Sequence, residues 1–254
     1  MTTALFMPRF YQIVGLPTEL ARLVAHLMHP PFDAARNDQR SSLPAVQILL
    51  VRHAQPNIEH NPSGPADPGL SDLGYRQAER LNAWLAHEPV DIVVTSPKRR
   101  AIETVSGVID LPVPHVVRDG FDEVDRLANW YYPTELLATH GGEYWEAIRR
   151  QEWEAIGWDP PEVFRARVLD AWNELLATSP AARIVLGCHG GVVRQIVSAV
   201  LGLEGYARID ISYASISRVE VDAKGSAHMQ SVNETGHIDG VRESVTDRLG
   251  HRPT

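Results

Sequence analysis

Four short apolar runs of strand length alternate with helical patterns from residue 45 onwards. The runs are AVQILLV, DIVVT, HVV and ARIVLGC, at residues 45–51, 91–95, 115–117 and 182–188. Continuous apolar runs of this length are typical of strands buried on both faces, and alternation with helices predicts parallel pairing. Residues 214–221 and 227–232 indicate a closing hairpin. The fold class predicted is therefore α/β, a three-layer sandwich whose mainly parallel sheet carries helices on both faces.

Local signals place the helix boundaries. Ser71 is a predicted N-cap, and Ser96 with the proline after it predicts the start of the next helix. Asp159 and Glu162 have the spacing of a capping box ahead of a further helix. A last helix follows the strand that ends at Cys188.

The chain divides into three parts. Residues 1–44 are predicted to be an extension with one amphipathic helix and a polar linker, either packed on the main domain or forming the contact of a homodimer. Residues 45–235 form the main domain. Its segment at about 121–180 holds five of the six tryptophans and is predicted to be a helical insertion over the ligand site. Residues 236–254 are predicted to be a C-terminal tail.

Composition and charge exclude several classes of protein. With 44% hydrophobic and 22% charged residues, a chain of 254 residues is neither disordered nor fibrous. One cysteine excludes a disulfide framework, and a formal charge of -8 argues against a nucleic-acid partner. No apolar run approaches the roughly 20 residues that span a bilayer, and the start lacks the pattern of a signal peptide. We therefore expect no membrane partner and a cytoplasmic location.

Side chains suited to phosphate chemistry follow three of the predicted strands. Arg52 and His53 follow the first, the basic run Lys98-Arg99-Arg100 lies just after the second, and His189 and Gly190 follow the fourth. Ligands of open α/β sheets bind beyond the carboxyl ends of the strands, so these groups are expected to converge. A single histidine or arginine is more often a surface or satisfied core residue. Three such groups at one predicted edge favour a site.

The chemistry of these groups favours phosphoryl transfer through a phosphohistidine. Neutral imidazole is a nucleophile, and its reference pKa of about 6.5 leaves it largely neutral at pH 7. Guanidinium groups bind phosphate oxygens and offset the charge of the transferring group. Glycine after His189 allows close backbone approach, and the helix N-terminus behind it favours an anion.

Four motifs resemble those of the histidine phosphatase superfamily, which includes the cofactor-dependent phosphoglycerate mutases. VRHAQ resembles its Arg-His-Gly signature, and LSDLGYRQA its Leu-Thr-x-x-Gly-x-x-Gln-Ala helix. TSPKRRAIET is similar to its Ser-Pro-x-x-Arg-Ala-x-x-Thr segment, and GCHGGVVRQIV to its second His-Gly-Gly turn. The motifs keep the family's order over residues 45–232.

The resemblance implies a role for each matched residue. His53 matches the nucleophile, and Arg52, Arg100 and His189 match the other members of the phosphate pocket. Gly190 is expected to add to phosphate binding. Lys98 and Arg99 are then predicted to form a solvated basic edge. The family resemblance implies no metal and no cofactor.

The family's general acid is a carboxylate after the third strand. Glu123 in DGFDEVDR matches its position, with Asp122 and Asp125 as alternatives because the usual following glycine pattern is missing. Ala54 replaces the signature's glycine. The mutase-type continuation Glu-x-x-x-Asn is absent, and Asn57 is the nearest amide that could bind substrate.

These residues predict a phosphomonoester hydrolase acting on a small phosphorylated metabolite, with mutase-type transfer as the alternative. Two further alternatives stay open. Cys188, Gly191 and Arg194 satisfy the Cys-x-x-Gly-x-x-Arg loop of cysteine-dependent phosphatases. The fold could also serve as a non-catalytic phosphate-binding module.

Aromatic residues of the insertion bear on the leaving group. They either form the core of the insertion or roof the pocket, and in the second case a ring-bearing substrate is conceivable. The residues are Trp130, Tyr131, Tyr132, Trp145 and Trp153.

Overall fold

The computed structural model describes residues 46–133, 137, 142–179 and 183–241. Its strands are β1 Val46–Arg52, β2 Glu59–His60, β3 Ile92–Thr95, β4 His115–Val117, β5 Trp130–Tyr131, β6 Arg183–Cys188, β7 Ile216–Val221 and β8 Ala227–Glu234. Its helices are α1 Asp72–Leu85, α2 Arg99–Thr104, α3 Ser106–Ile109, α4 Glu143–Arg149, α5 Pro161–Thr178 and α6 Gly190–Val200. The predicted helix in the extension lies outside the described residues.

The described residues form a mixed six-stranded sheet in the order β4-β3-β6-β1-β7-β8. The first four strands of this order are parallel. The predicted hairpin, β7 and β8, joins β1 in antiparallel pairing. A small second sheet pairs β2 with β5. The α/β prediction is confirmed, and β1 lies inside the sheet between a parallel and an antiparallel neighbour.

Helices cover both faces of the sheet. Ile48 and Leu50 of β1 pack in one core with α5 and α6, while Leu49 and Val51 pack in a second core with α1 and α3. Successive side chains of a strand point to opposite faces, so the apolar run of β1 supplies both cores. The three-layer prediction is confirmed.

Of the three helix-start signals, the N-cap at Ser71 is correct. The Ser71 hydroxyl accepts a hydrogen bond from the Gly74 amide at 3.1 Å, which caps α1. The helix predicted to start at Ser96 begins later, at Arg99, because Lys98 is still extended. The Ser96 hydroxyl instead accepts from the Lys98 amide at 3.3 Å and faces the site described below.

The predicted helical insertion is helical only in part. Its described residues before α5 hold the short helix α4, the two-residue strand β5 and a 3₁₀ turn at Glu154–Ile156. The predicted capping box is wrong, because Pro160 precedes the first turn of α5. The Asp159 carboxylate instead binds Arg126 and Arg167.

The packed domain continues beyond residue 235, where the tail was predicted to begin. Gly236–Ile238 form a 3₁₀ turn, and Ile238 and Val241 pack in the core beside α1. Residues 242–254 lie outside the described range. No helix among the described residues is both long and apolar enough to cross a membrane.

Candidate active site

His53 is held at the end of the central strand β1. Its backbone amide donates to the Cys188 carbonyl at 2.8 Å, and its carbonyl accepts from the Ala214 amide at 3.2 Å. These bonds extend the pairing of β1 to both of its neighbours, so the backbone at His53 is fixed from two sides.

The environment of the His53 ring leaves the lone pair of Nε2 free. Nδ1 lies 2.8 Å from the Ala54 carbonyl oxygen, which can only accept, so Nδ1 carries the proton and neutral Nε2 keeps its lone pair. Burial, with added repulsion from Arg100 and Arg52, holds the pKa of His53 well below its usual value. The ring is therefore neutral at physiological pH.

Arg100 and Arg52 bring two guanidinium groups to the same ring. Arg100 is fully buried, with Nη2 3.5 Å from Asp125 and its guanidinium 4.4 Å from the centre of the Tyr131 ring. Its Nε and Nη1 have no hydrogen-bond partner among the described residues. Arg52 donates to the Ile211 carbonyl. Buried donors without partners are costly, and a bound oxyanion would satisfy those of Arg100.

His189 approaches His53 from the N-terminus of α6. The two ring centres lie 5.2 Å apart, and His189 Nε2 is 2.7 Å from the Ser96 hydroxyl. Its Nδ1 is buried and has no hydrogen-bond partner in the described part of the chain. Burial, and then Arg100, lower the pKa of His189, so this ring is neutral as well.

Glu123 reaches the site across the first turn of α6. One carboxylate oxygen accepts from the Gly191 amide at 3.0 Å and the other from the Val124 amide at 2.9 Å. A Cβ on residue 191 would lie 2.2 Å from Glu123 Oε1, so only glycine allows this approach. Burial raises the pKa of Glu123 above its usual value.

The two alternative carboxylates are engaged elsewhere. Asp122 accepts from the Glu123 amide at 2.8 Å and lies 3.9 Å from His189, and burial raises its pKa. Asp125 faces Arg100. Of the three, Glu123 is the carboxylate that both lines the cavity beside His53 and lacks an arginine within salt-bridge distance among the described residues.

A cavity of about 320 Å³ opens onto these groups. Arg52, His53, Arg100, Glu123 and Gly190 all line it, whereas His189 lies beside the His53 ring and outside the described lining. Asn57 is absent from the described lining, and its side chain donates to the Leu70 carbonyl at 3.0 Å. The structure therefore does not bring Asn57 to the site.

The sequence patterns did not predict the positions of three residues near the site. Ser96 holds His189, and its place at a strand end was a usable signal. The Tyr213 ring lies 4.0 Å from the Arg52 guanidinium and 5.6 Å from the His53 ring, in a segment without any sequence signal. Lys98 is buried and donates to two backbone carbonyls, so its prediction as a solvated residue is wrong.

The aromatic residues of the insertion divide between two locations. Tyr131, Tyr132 and Trp153 line the cavity. Trp130 instead stacks on His60 with ring centres 4.3 Å apart, and Trp145 lies on α4, outside the described lining. The predicted aromatic roof is thus present in part.

Cys188 is unsuited to act as a nucleophile here. It is fully buried within the core that contains α5 and α6, and burial raises the pKa of its thiol. No group of three or more His, Cys, Asp or Glu residues in the described ranges is arranged to hold a metal ion. Metal independence stays a prediction.

Known proteins of similar sequence include two from mycobacteria. A bifunctional protein of Mycobacterium tuberculosis is 27% identical over 205 residues, which cover 76% of this chain and 55% of the relative. The chain thus spans about half the length of that curated relative. A glucosyl-3-phosphoglycerate phosphatase of Mycolicibacterium vanbaalenii is 28% identical over 170 residues, covering 62% of this chain and 75% of the relative.

Solved structures and a family profile complete the comparison. The structure of Bacillus stearothermophilus YhfR covers 77% of this chain and 100% of its own, with a TM-score of 0.64 at 18% identity, a likeness of fold. The profile described as histidine phosphatase superfamily (branch 1) matches residues 48–235. Since that match spans well over half of the sequence and includes every residue placed around the cavity from Arg52 to Tyr213, the chain belongs to the histidine phosphatase superfamily.

Proposed function

We propose that the protein is a phosphomonoester hydrolase that works through a phosphohistidine on Nε2 of His53. The observation that carries this proposal is the state of the His53 ring. Its proton is fixed on Nδ1 by the Ala54 carbonyl, and its pKa is held low beside two arginines. A buried, neutral imidazole facing a cavity where Arg100 has two donors without a partner in the described residues is suited to attack a phosphoryl group.

In the first step, the lone pair of Nε2 forms a bond to phosphorus while the bond to the leaving oxygen breaks. Glu123, in its protonated form, donates its proton to that oxygen, and the alcohol departs. Arg52, Arg100 and His189 donate hydrogen bonds to the non-bridging oxygens as charge develops on them.

In the second step, the Glu123 carboxylate takes a proton from water, and the water oxygen attacks phosphorus. The bond from phosphorus to Nε2 breaks, its electron pair returns to His53, and inorganic phosphate leaves. Burial raises the pKa of Glu123, which suits a group that must both give and take a proton.

The cavity favours water over a second hydroxyl as the acceptor. A mutase must hold a charged intermediate away from water with extra anion contacts. Beyond the phosphate pocket, Arg194 is the one cationic side chain in the described lining, and Asn57 lies outside it. The same proposal includes a small phosphorylated substrate and no membrane or nucleic-acid partner, and the formal charge of -8 argues against nucleic acid.

Trapping of the intermediate tests the mechanism. Purified protein given p-nitrophenyl phosphate should release phosphate, and an alkaline quench should leave a base-stable, acid-labile phosphate on the chain. His53→Ala should lose both signals, while Cys188→Ala should keep them. Full hydrolysis by His53→Ala would refute the proposal, and phosphate binding without turnover would favour a binding module.

Two assays on the same preparation test whether the protein is a hydrolase or a mutase, and whether its activity needs a metal ion. Interconversion of 2- and 3-phosphoglycerate should be negligible beside phosphate release, even with the bisphosphate primer present. EDTA should leave the rate unchanged, because arginine and histidine are assigned the charge neutralisation. Mutase turnover above hydrolysis, or activity lost in EDTA and restored by zinc or magnesium, would contradict these assignments.

A further inference from the structure

The cavity wall beyond the phosphate pocket is aromatic. Its rings come from β5, from the irregular segment before α5, from α5 itself and from the loop after α6. In the described residues they are Tyr131, Tyr132, Trp153, Trp158, Phe164 and Tyr206.

The carboxylates on this wall already have cationic partners. Asp159 accepts from Arg126 Nε at 3.0 Å and from Arg167 Nη2 at 2.7 Å. Asp125 faces Arg100 across 3.5 Å. Paired carboxylates offer little attraction to a cationic leaving group, because their charge is already offset.

Little positive charge faces the same space. Arg194 is the remaining cation of the described lining, and its Nε donates to the Ile209 carbonyl at 3.0 Å. A leaving group that carries carboxylates or a second phosphate would find few partners here. The aromatic faces are therefore the main recognition surface that the described wall presents.

Resting on the hydrolase proposed above, we propose that the preferred substrates are phosphomonoesters with a small, uncharged, ring-bearing leaving group. Ring stacking and apolar burial against the wall would hold the leaving group while the arginines hold the phosphate. A volume of about 320 Å³ is at the lower end for small-molecule sites, so the leaving group has one or two rings.

A substrate series with matched leaving-group chemistry tests this preference. 2-Phenylethyl phosphate, n-propyl phosphate, phosphocholine and 3-phosphoglycerate all release aliphatic alcohols, so their rates compare the wall contacts without the advantage of a phenol. We expect kcat/KM for 2-phenylethyl phosphate to exceed that for n-propyl phosphate by about tenfold or more, as burial of a phenyl group predicts. The other two should be poorer still.

Variants of the wall should reduce the preference for a ring-bearing leaving group without abolishing phosphoryl transfer. Trp153→Ala and Tyr132→Ala should each lower kcat/KM for 2-phenylethyl phosphate several-fold more than that for n-propyl phosphate. Trp130→Ala is the matched control, because that indole stacks on His60 and lies outside the described lining. It should behave as the wild type.

The outcomes separate this inference from the hydrolase proposal. Equal or faster hydrolysis of n-propyl phosphate, phosphocholine or 3-phosphoglycerate would overturn the substrate class and leave the phosphohistidine mechanism standing. If Trp153→Ala and Tyr132→Ala lowered the rates for 2-phenylethyl phosphate and n-propyl phosphate equally, the substrate class would also be overturned. The wall would then serve catalysis or folding. Absence of any phosphomonoester hydrolysis would refute both proposals.

Discussion

Ser96 holds one nitrogen of the His189 ring and leaves the other without a partner in the described residues. Its hydroxyl accepts from the Lys98 amide at 3.3 Å and lies 2.7 Å from His189 Nε2. If the hydroxyl proton is donated to Nε2, the proton of the neutral ring is on Nδ1, the atom buried without a partner. The hydroxyl thereby prepares a hydrogen-bond donor for the transferring group, and we regard Ser96 as a positioning residue.

Ser96→Ala should therefore lower kcat/KM by about tenfold, the effect of losing one hydrogen bond to a buried group. The loss should disappear when the same substitution is made in a His189→Ala background, because the serine acts through that ring. Steady-state kinetics of the two single variants and the double variant measure this coupling. Additive losses would show that Ser96 acts independently of His189.

Residues at strand ends could be predicted, and residues brought in by tertiary packing could not. Arg52, His53 and His189 directly follow buried runs, so topology alone places them together. Lys98 has the sequence context of an exposed lysine, but neighbouring carbonyls enclose its ammonium group. Tyr213 reaches His53 from an irregular segment whose path no local pattern specifies.

At the level of elements, the first turn of α6 and the loop before β5 are fitted to each other. The Gly191 amide binds the Glu123 carboxylate, and the absence of a side chain on Gly191 makes room for it. The helix N-terminus thus orients the proposed acid, while its favourable field for anions opposes the rise in the pKa of Glu123 that burial produces.

Gly191→Ala should displace Glu123 and reduce turnover of alkyl phosphates far more than that of p-nitrophenyl phosphate, whose leaving group needs little protonation. Thermal stability should not fall through helix propensity, since alanine is favoured over glycine within a helix by about 1 kcal/mol. Gly236→Ala is the control, because no atom lies within 4 Å of its added Cβ. Equal losses on both substrates would contradict the role of Glu123 as acid.

Elements that are buried on both sides were predictable, and the insertion was not. The runs of β1, β3 and β6 are apolar because both of their faces are covered. The insertion has a composition compatible with helix, but its described part before α5 contacts the rest of the domain through β5, through backbone hydrogen bonds of Ala128 and Asn129, and through side chains. Asp159 shows why the insertion could not be predicted: two arginines bind the carboxylate that was predicted to cap a helix.

At the scale of the whole molecule, the buried histidines make stability depend on pH. The pKa values of His53 and His189 are lowered in the folded protein, so the unfolded chain binds more protons below about pH 6.5. Their contribution is fully present above that pH and is lost as the pH falls. Glu123 and Asp122, whose pKa values are raised, contribute a slope of opposite sign.

His189→Gln should therefore flatten the fall in unfolding free energy between pH 7 and pH 5. Removal of one such group changes the slope by at most about 1.4 kcal/mol per pH unit. Urea unfolding of wild type and variant across this range measures both unfolding free energies. The carboxylates contribute equally to the two proteins, so their contribution cancels when one free energy is subtracted from the other. Parallel curves would show that His189 does not gain a proton on unfolding.

The order of the strands in the sheet also affects when the phosphate pocket can form during folding. The strand β1 leads into His53, the proposed nucleophile, but its two partners, β6 and β7, begin at Arg183 and Ile216. A nascent chain that ends before Arg183 therefore contains neither of the described partners of β1. Contacts so distant in sequence form slowly, because a long loop must be closed first. His53 is thus synthesised before either partner strand of β1, and its pocket is completed only after nearly the whole domain has been made.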